Sequence, residues 1–426
     1  MALPVVLILR NILLKIYQLM FNPFPTSPFV SPFGASPFGG GMLPPQPVQQ
    51  EVPQPPEMNL KRVLQYYADY SGCGFWRMIW PEHLLNAHQK MTVHGSTVMN
   101  LDPNYFRGAQ VVRIQRQATE HQLQFVKFLK DLSRQMGFRL IYEIDDLVFS
   151  EDIPEYNKFK PAFTDPKIRA TAQEIMELCD EITVTCDFMK EYYMGKTSNK
   201  NITVIPNYPP KWWMGHFYNE KKVSDNYDRY KNKPRILYAG SGAHFDVDNR
   251  VGQKDDFEHV NRAIVDSRHK YQWVFLGAYP LPLHPFVQNG EMEFHPWEQL
   301  YTYPEKVSKL NVNMLVAPLQ DNNFNKSKSD LKLVEANCYG LPIACQNLVT
   351  YKDAPFKFNT GEEMIAIIDD VLSKKGRYMN ICAKARKSAE ERWLENEDNI
   401  NKYVELFNYP YGHPERKLLN AINGIS

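Results

Sequence analysis

The sequence predicts an α/β protein made of two doubly wound, Rossmann-like parallel-sheet domains facing a cleft, preceded by an arm that builds no core. Three observations carry this prediction. Apolar strand-like runs alternate with helical stretches of about ten to fifteen residues in two separate blocks, 59–207 and 235–395. In each block the first strand runs into a pair of glycines, Gly72-Cys73-Gly74 and Gly240-Ser241-Gly242. The chain of 426 residues also exceeds what one hydrophobic core usually supports.

Residues 1–57 read as an apolar and Pro-rich arm. Its first 19 residues are broken by Arg10, Asn11 and Lys15, so no apolar run is long enough to span a bilayer, and peripheral membrane contact is the membrane role left to them. A basic leader and a small-residue cleavage site are missing, so no signal peptide is expected. The following stretch repeats Ser-Pro-Phe at 27, 31 and 36 amid Gly, Gln and Pro, a composition that cannot bury a core and is expected to be disordered. Lys plus Arg numbers 49 and Asp plus Glu 48, which excludes a global charge preference for any partner. The six cysteines (73, 179, 186, 338, 345, 382) show no CxxC pair and no Cys/His metal spacing. They read as reduced, mostly buried thiols of a cytoplasmic protein, and no metal site is expected.

The first block has strands expected at 63–67, 111–114, 140–144, 182–185 and 202–205, with helices at 76–88 and 120–136. Ligands of such sheets bind beyond the carboxyl ends of the strands. Two loops there carry chemistry. Gly72 and Gly74 let a ligand approach the backbone. Asp145-Asp146 follows the third strand, where adjacent carboxylates suit a divalent metal or sugar hydroxyls, and equally suit the capping of the next segment. From Lys61 to Arg139 there are eleven Lys/Arg against five Asp/Glu. That excess of six fits a polyanionic partner or scattered surface charge.

Residues 208–234 read as a linker. The second block then opens with a strand at 235–239, the turn Gly240-Ser241-Gly242, and His244. A helix at 256–266 and a strand at 273–276 follow. The stretch from Val312 to Cys345 is the most informative: strand 312–316, helix 327–339, a tight turn at Gly340, strand 342–345. Gly340 suits the C-cap because a positive φ ends a helix without strain. Lys328, Lys332 and Glu335 fall at i, i+4 and i+7, on one helix face. With Ser327 and Ser329 in its first turn, such a helix is suited to receive phosphate, and its glutamate to receive a ribose diol. A solvated face with one ion pair has the same pattern. Helices at 361–393 and 395–407 complete the chain, residues 396–426 forming a C-terminal helix and tail.

These residues together resemble the nucleotide-sugar glycosyltransferases of the GT-B fold, most closely the retaining type of family four found in bacterial and phage polysaccharide transferases. The resemblance lies in RILYAGSGAHFD (235–246) with DFEHV (256–260), in KSDLKLVEANCYGLPIA (328–344), and in RLIYEIDDLVF, EITVTCDFM and VIPN of the first block. It covers about 59–400. It implies transfer of a sugar, with retention, from a UDP- or GDP-sugar co-substrate to an acceptor hydroxyl, without an obligatory cofactor or metal. By the same resemblance, Glu335 would hold the ribose, and Lys328, Lys332, Ser329, Ser327, Gly240, Ser241 and Gly242 would lie along the donor. Gly72 and Gly74 would close from the acceptor domain, and Lys328, His244, Asp145 and Asp146 would stand nearest the reaction. The family places two glutamates eight positions apart, and the earlier of these positions is Ser327 here. A glycan is the acceptor the resemblance implies; the basic excess leaves modified bases of DNA as an alternative, and a non-catalytic nucleotide- or glycan-binding or structural protein on this scaffold as a third reading.

Overall fold

The computed structural model describes residues 60–215 and 219–422. The arm 1–57 lies outside the described residues.

Two parallel six-stranded sheets form the framework. The first contains β1 (Arg62–Tyr66), β2 (Thr92–Ser96), β3 (Ala109–Gln115), β4 (Arg139–Glu143), β5 (Glu181–Val184) and β6 (Ile202–Val204), in the order β2-β1-β3-β4-β5-β6. The second contains β7 (Arg235–Gly240), β8 (Gln272–Gly277), β9 (Glu293–Pro296), β10 (Met314–Ala317), β11 (Ile343–Gln346) and β12 (Lys357–Phe358), in the order β12-β11-β10-β7-β8-β9. In each, strand order reverses beside the opening strand, between β1 and β3 and between β7 and β10. Those reversals leave a crevice at the carboxyl edge, where doubly wound sheets bind ligands.

The central strands β3, β4, β7 and β10 are buried over nearly their whole length, which is why they read as continuous apolar runs. Helix α1 (Glu120–Met136) matches its expected limits because its sequence carries both ends. Thr119 and Gln122 form a reciprocal capping box, and Gly137 at φ +80° ends it.

Three expected elements differ in the structure. The region 76–88 is one continuous helical run that begins earlier, at Gly72, so Gly72-Cys73-Gly74 is a helix start rather than a loop. The helix at 327–339 is shorter: α2 spans Leu331–Cys338, preceded by a separate turn of helix, Asn323–Lys326. Ser327, Lys328 and Ser329 therefore form the connection between the two, not the first turn of α2. The region 256–266 is helical only over Asn261–Asp266.

Leu60 onward forms one compact unit. After β12 the chain returns to the first sheet. Helix α3 (Glu397–Asn408) buries Ile400, Tyr403, Leu406 and Phe407 in one apolar cluster with Trp76, Trp80 and Trp213, a cluster that also takes Val334 and Cys338 of α2. Beneath β1, β3 and β4 lies a fully buried ionic group in which Glu143 receives Arg77 Nε at 2.6 Å and is also paired with Arg113. Burial alone would raise the Glu143 carboxyl, but the two guanidiniums outweigh it and hold it below its ordinary value.

Candidate active site

The connection Ser327–Asp330 is shaped from both sides. Ser327 is fully buried, and its hydroxyl donates to the Phe324 carbonyl at 2.6 Å. Its own carbonyl accepts from Cys186 Sγ of the first sheet's half at 3.3 Å. Ser329 Oγ accepts from Asn207 Nδ2 at 2.9 Å. Asp330 stands at the N-cap of α2 yet does not cap it, because Arg392 holds its carboxylate with two bonds of 2.8 and 3.0 Å. The first N–H groups of α2 consequently have no side-chain cap, and they carry the positive end of the helix dipole.

Lys328 projects from this turn to within 3.9 Å of Asp146 Oδ2, with its ammonium 4.5 Å above the Phe324 ring. Asp146 stands just past β4. Burial pushes its carboxyl above the ordinary value, and Lys328 only partly offsets this. Asp145 points to Arg116, whose Nε is 3.5 Å away and whose Nη2 binds Asp69 at 2.6 Å. Asp69 in turn receives the N–H groups of Ser71 (2.8 Å) and Gly74 (3.1 Å). The absent side chain at Gly74 thus serves Asp69, since a Cβ there would fall 1.9 Å from the Asp69 carbonyl. Gly72 has open space around it.

On the facing edge, β7 ends at Gly240, where a Cβ would meet the Tyr238 hydroxyl at 2.4 Å. Ser241 Oγ accepts from Ala243 N at 3.3 Å, and a Cβ at Gly242 would only touch Lys158 and Val247, at 3.6 and 3.7 Å. His244 follows, with Nδ1 2.7 Å from Asp256 Oδ2. Burial, reinforced by the charge of Lys328, holds His244 below its ordinary value, so the imidazole is neutral at pH 7. With Asp256 ionised, Nδ1 carries the hydrogen and Nε2 is an acceptor, a tautomer assigned from the hydrogen bond. Asp256 is buried too, which would raise its carboxyl, but His244, the Gln320 N–H (2.9 Å) and the Tyr156 hydroxyl (2.7 Å) outweigh burial and hold it low.

Glu335, on α2, is 5% exposed; its Oε2 accepts from Lys332 Nζ at 3.1 Å and the Tyr303 hydroxyl at 3.3 Å. Lys328 and Asp146 are in contact, and Lys328 is close enough to His244 to depress its basicity. Asp145 belongs to a separate cluster with Arg116 and Asp69. Sequence reasoning missed Arg116, Asp256, Tyr156 and Asn207. Two of them sit in segments with a local signal: Asp256 opens DFEHV, which reads as a helix, and Asn207 ends VIPN. Among the described residues no group of three or more His, Cys, Asp or Glu is arranged to hold a metal ion, and no helix is long and apolar enough to cross a membrane.

Most of the basic excess of 61–139 is paired with carboxylates. Eight of its eleven cations (Arg77, Lys90, Arg113, Arg116, Lys127, Lys130, Arg134, Arg139) are in ion pairs. Five of their partners, Glu143, Glu174, Asp180, Glu181 and Glu397, lie outside the stretch that was counted.

No protein-family model matches the sequence, and no curated protein matches it significantly. Solved structures do. The chain is similar to Anabaena Alr3699/HepE in complex with UDP and glucose, with TM-score 0.51 and 10% identity over 81% of this chain and 98% of that one. The same protein in complex with UDP-glucose, and with UDP, gives the same values. The fold is GT-B. At this identity the likeness speaks for architecture, and the chemistry rests on the residues above.

Proposed function

We propose that this chain is a glycosyltransferase that moves a sugar from a nucleoside-diphosphate sugar to an acceptor hydroxyl on a glycan, with retention at the anomeric carbon. The observation that carries the reading is Lys328, placed at the uncapped N-terminus of α2 and 3.9 Å from Asp146 of the other half. A diphosphate seated there meets an ammonium, helix N–H groups and the Gly240-Ser241-Gly242 turn. Glu335, about one turn into α2, receives the ribose diol, with Lys332 and Tyr303 setting its orientation. The leaving group is then a nucleoside diphosphate whose developing charge the fixed cation and dipole stabilise, which is the main form of catalysis open to such a site. His244 Nε2 accepts a sugar hydroxyl. The complexes of HepE with UDP and UDP-glucose support a UDP-sugar donor. All six cysteines are free thiols, which accords with a cytoplasmic protein.

One feature favours a second reading, a nucleotide-binding protein without transfer. Ser327 is buried and bonded to Phe324, so no carboxylate reaches the donor from that position. Measuring release of UDP or GDP from a panel of nucleotide sugars, with and without oligosaccharide, separates the two. Accelerated release supports the transferase. Nucleotide binding with no release from any sugar gives the second reading, and neither binding nor release overturns both.

A further inference from the structure

A Cβ at Gly242 would stand in ordinary contact with Lys158, whose ammonium is the nearest atom at 3.6 Å, and with Val247 at 3.7 Å. Lys158 belongs to the other half, in the segment between β4 and β5. That segment is anchored across the cleft at several points. Asp152 receives Asn323 Nδ2 at 3.0 Å. The Tyr156 hydroxyl donates to Asp256 at 2.7 Å and receives Asn325 Nδ2 at 3.2 Å, and Tyr156 is 2% exposed. The Tyr156 carbonyl receives Arg250 at 3.4 Å. Two residues beyond this buried anchor, Lys158 is exposed, over the Phe159 ring at 5.1 Å, and among the described residues it has no ion-pair partner. The neighbouring cations differ: Lys328 faces Asp146, Lys332 faces Glu335, and Arg250 faces Asp248.

An ammonium held against a glycine turn, with no counter-ion of its own, is built to meet an anion brought by a ligand. We propose that Lys158 binds the diphosphate of the donor at Gly240-Ser241-Gly242, so that the ligand's charge is held by one cation from each half, Lys158 and Lys328. The inference rests on the donor reading above. It assigns to the first half a donor-binding role through a side chain, and makes occupation of the turn dependent on the anchored 152–158 segment.

The test is calorimetric titration of the full chain with UDP, GDP, uridine and guanosine, using wild type, Lys158→Met and Lys158→Arg. For whichever diphosphate binds wild type, Lys158→Met is expected to weaken binding about tenfold or more, the size of one lost charge-assisted hydrogen bond. The matching nucleoside should change less than about twofold, because it lacks the charge, and Lys158→Arg should retain most of the affinity. Lys158 is exposed, so the unfolding temperature should not move. A Lys158→Met protein that binds the diphosphate like wild type, or loses nucleoside and diphosphate equally, overturns the inference while leaving the donor site standing. Wild type that binds no nucleoside diphosphate removes the donor reading, and this inference with it.

Discussion

Lys328 and Asp146 face each other 3.9 Å apart, one from the turn before α2 and the other from the end of β4. The separation is beyond hydrogen-bond distance, and Asp146 is raised above its ordinary value by burial despite the nearby ammonium. A loose pair of this kind leaves the lysine available to a stronger anion. The two halves of the chain thus bring an acid and a cation together.

Lys328→Ala should lower turnover by roughly 100-fold, a loss of about 2.7 kcal/mol typical of removing one group that stabilises transition-state charge. Steady-state kinetics on a nucleotide sugar measures it, and unchanged turnover in the variant would remove Lys328 from the chemistry.

Glu335→Ala should act on binding. The expected change is about a tenfold rise in the KM for the donor with kcat much less affected, the signature of a contact made equally in ground and transition states. A variant with normal donor KM would reduce Glu335 to a structural partner of Lys332 and Tyr303.

The pH profile carries the state of His244. Its basicity is lowered by burial and by Lys328, so the ring takes a proton only below its ordinary value of 6.5. Protonation converts Nε2 from acceptor to donor and sets a second positive charge beside Lys328. Activity should hold through neutral pH and decline on the acid side below 6.5, and His244→Gln should lose that decline. An acid limb unchanged in His244→Gln would assign the titration elsewhere.

Glu143 governs stability rather than turnover. Removing it as Glu143→Ala leaves Arg77 and Arg113 buried without a counter-ion, which should cost about 3–5 kcal/mol in urea unfolding. Its folded value lies below the ordinary 4.5, so its contribution is fully present above pH 4.5 and is lost as pH falls through the folded value. Acid sensitivity below pH 4.5 that matches between wild type and variant would contradict this.

Much of this architecture is legible in the sequence, for definite reasons. β3, β4, β7 and β10 are buried parallel strands and show as apolar runs, and α1 carries its own caps. β2, β9 and β12 escape such reading because they lie at or near sheet edges and are short or polar; β2 is Thr-Val-His-Gly-Ser. The break at Ser327–Asp330 has no local mark. Asp330 is held by Arg392, 62 residues away, and Ser329 by Asn207, 122 residues away. Asp256 was hidden in the same way, since its role comes from Tyr156, 100 residues earlier. Lys328, Glu335 and Gly240 stood out because phosphate-friendly turns and helix starts have local composition. Arg392, Asn207 and Tyr156 did not, because only tertiary packing brings them to Asp330, Ser329 and Asp256.

The most direct measurement of the central claim is thermal unfolding of the protein with UDP, GDP and their sugars. A ligand that binds only the folded state raises the unfolding temperature by mass action. A rise is expected with one nucleotide and its sugars, and it should be smaller in Glu335→Ala at the same ligand concentration. No rise with any of them would contradict a nucleotide-sugar site on this GT-B scaffold.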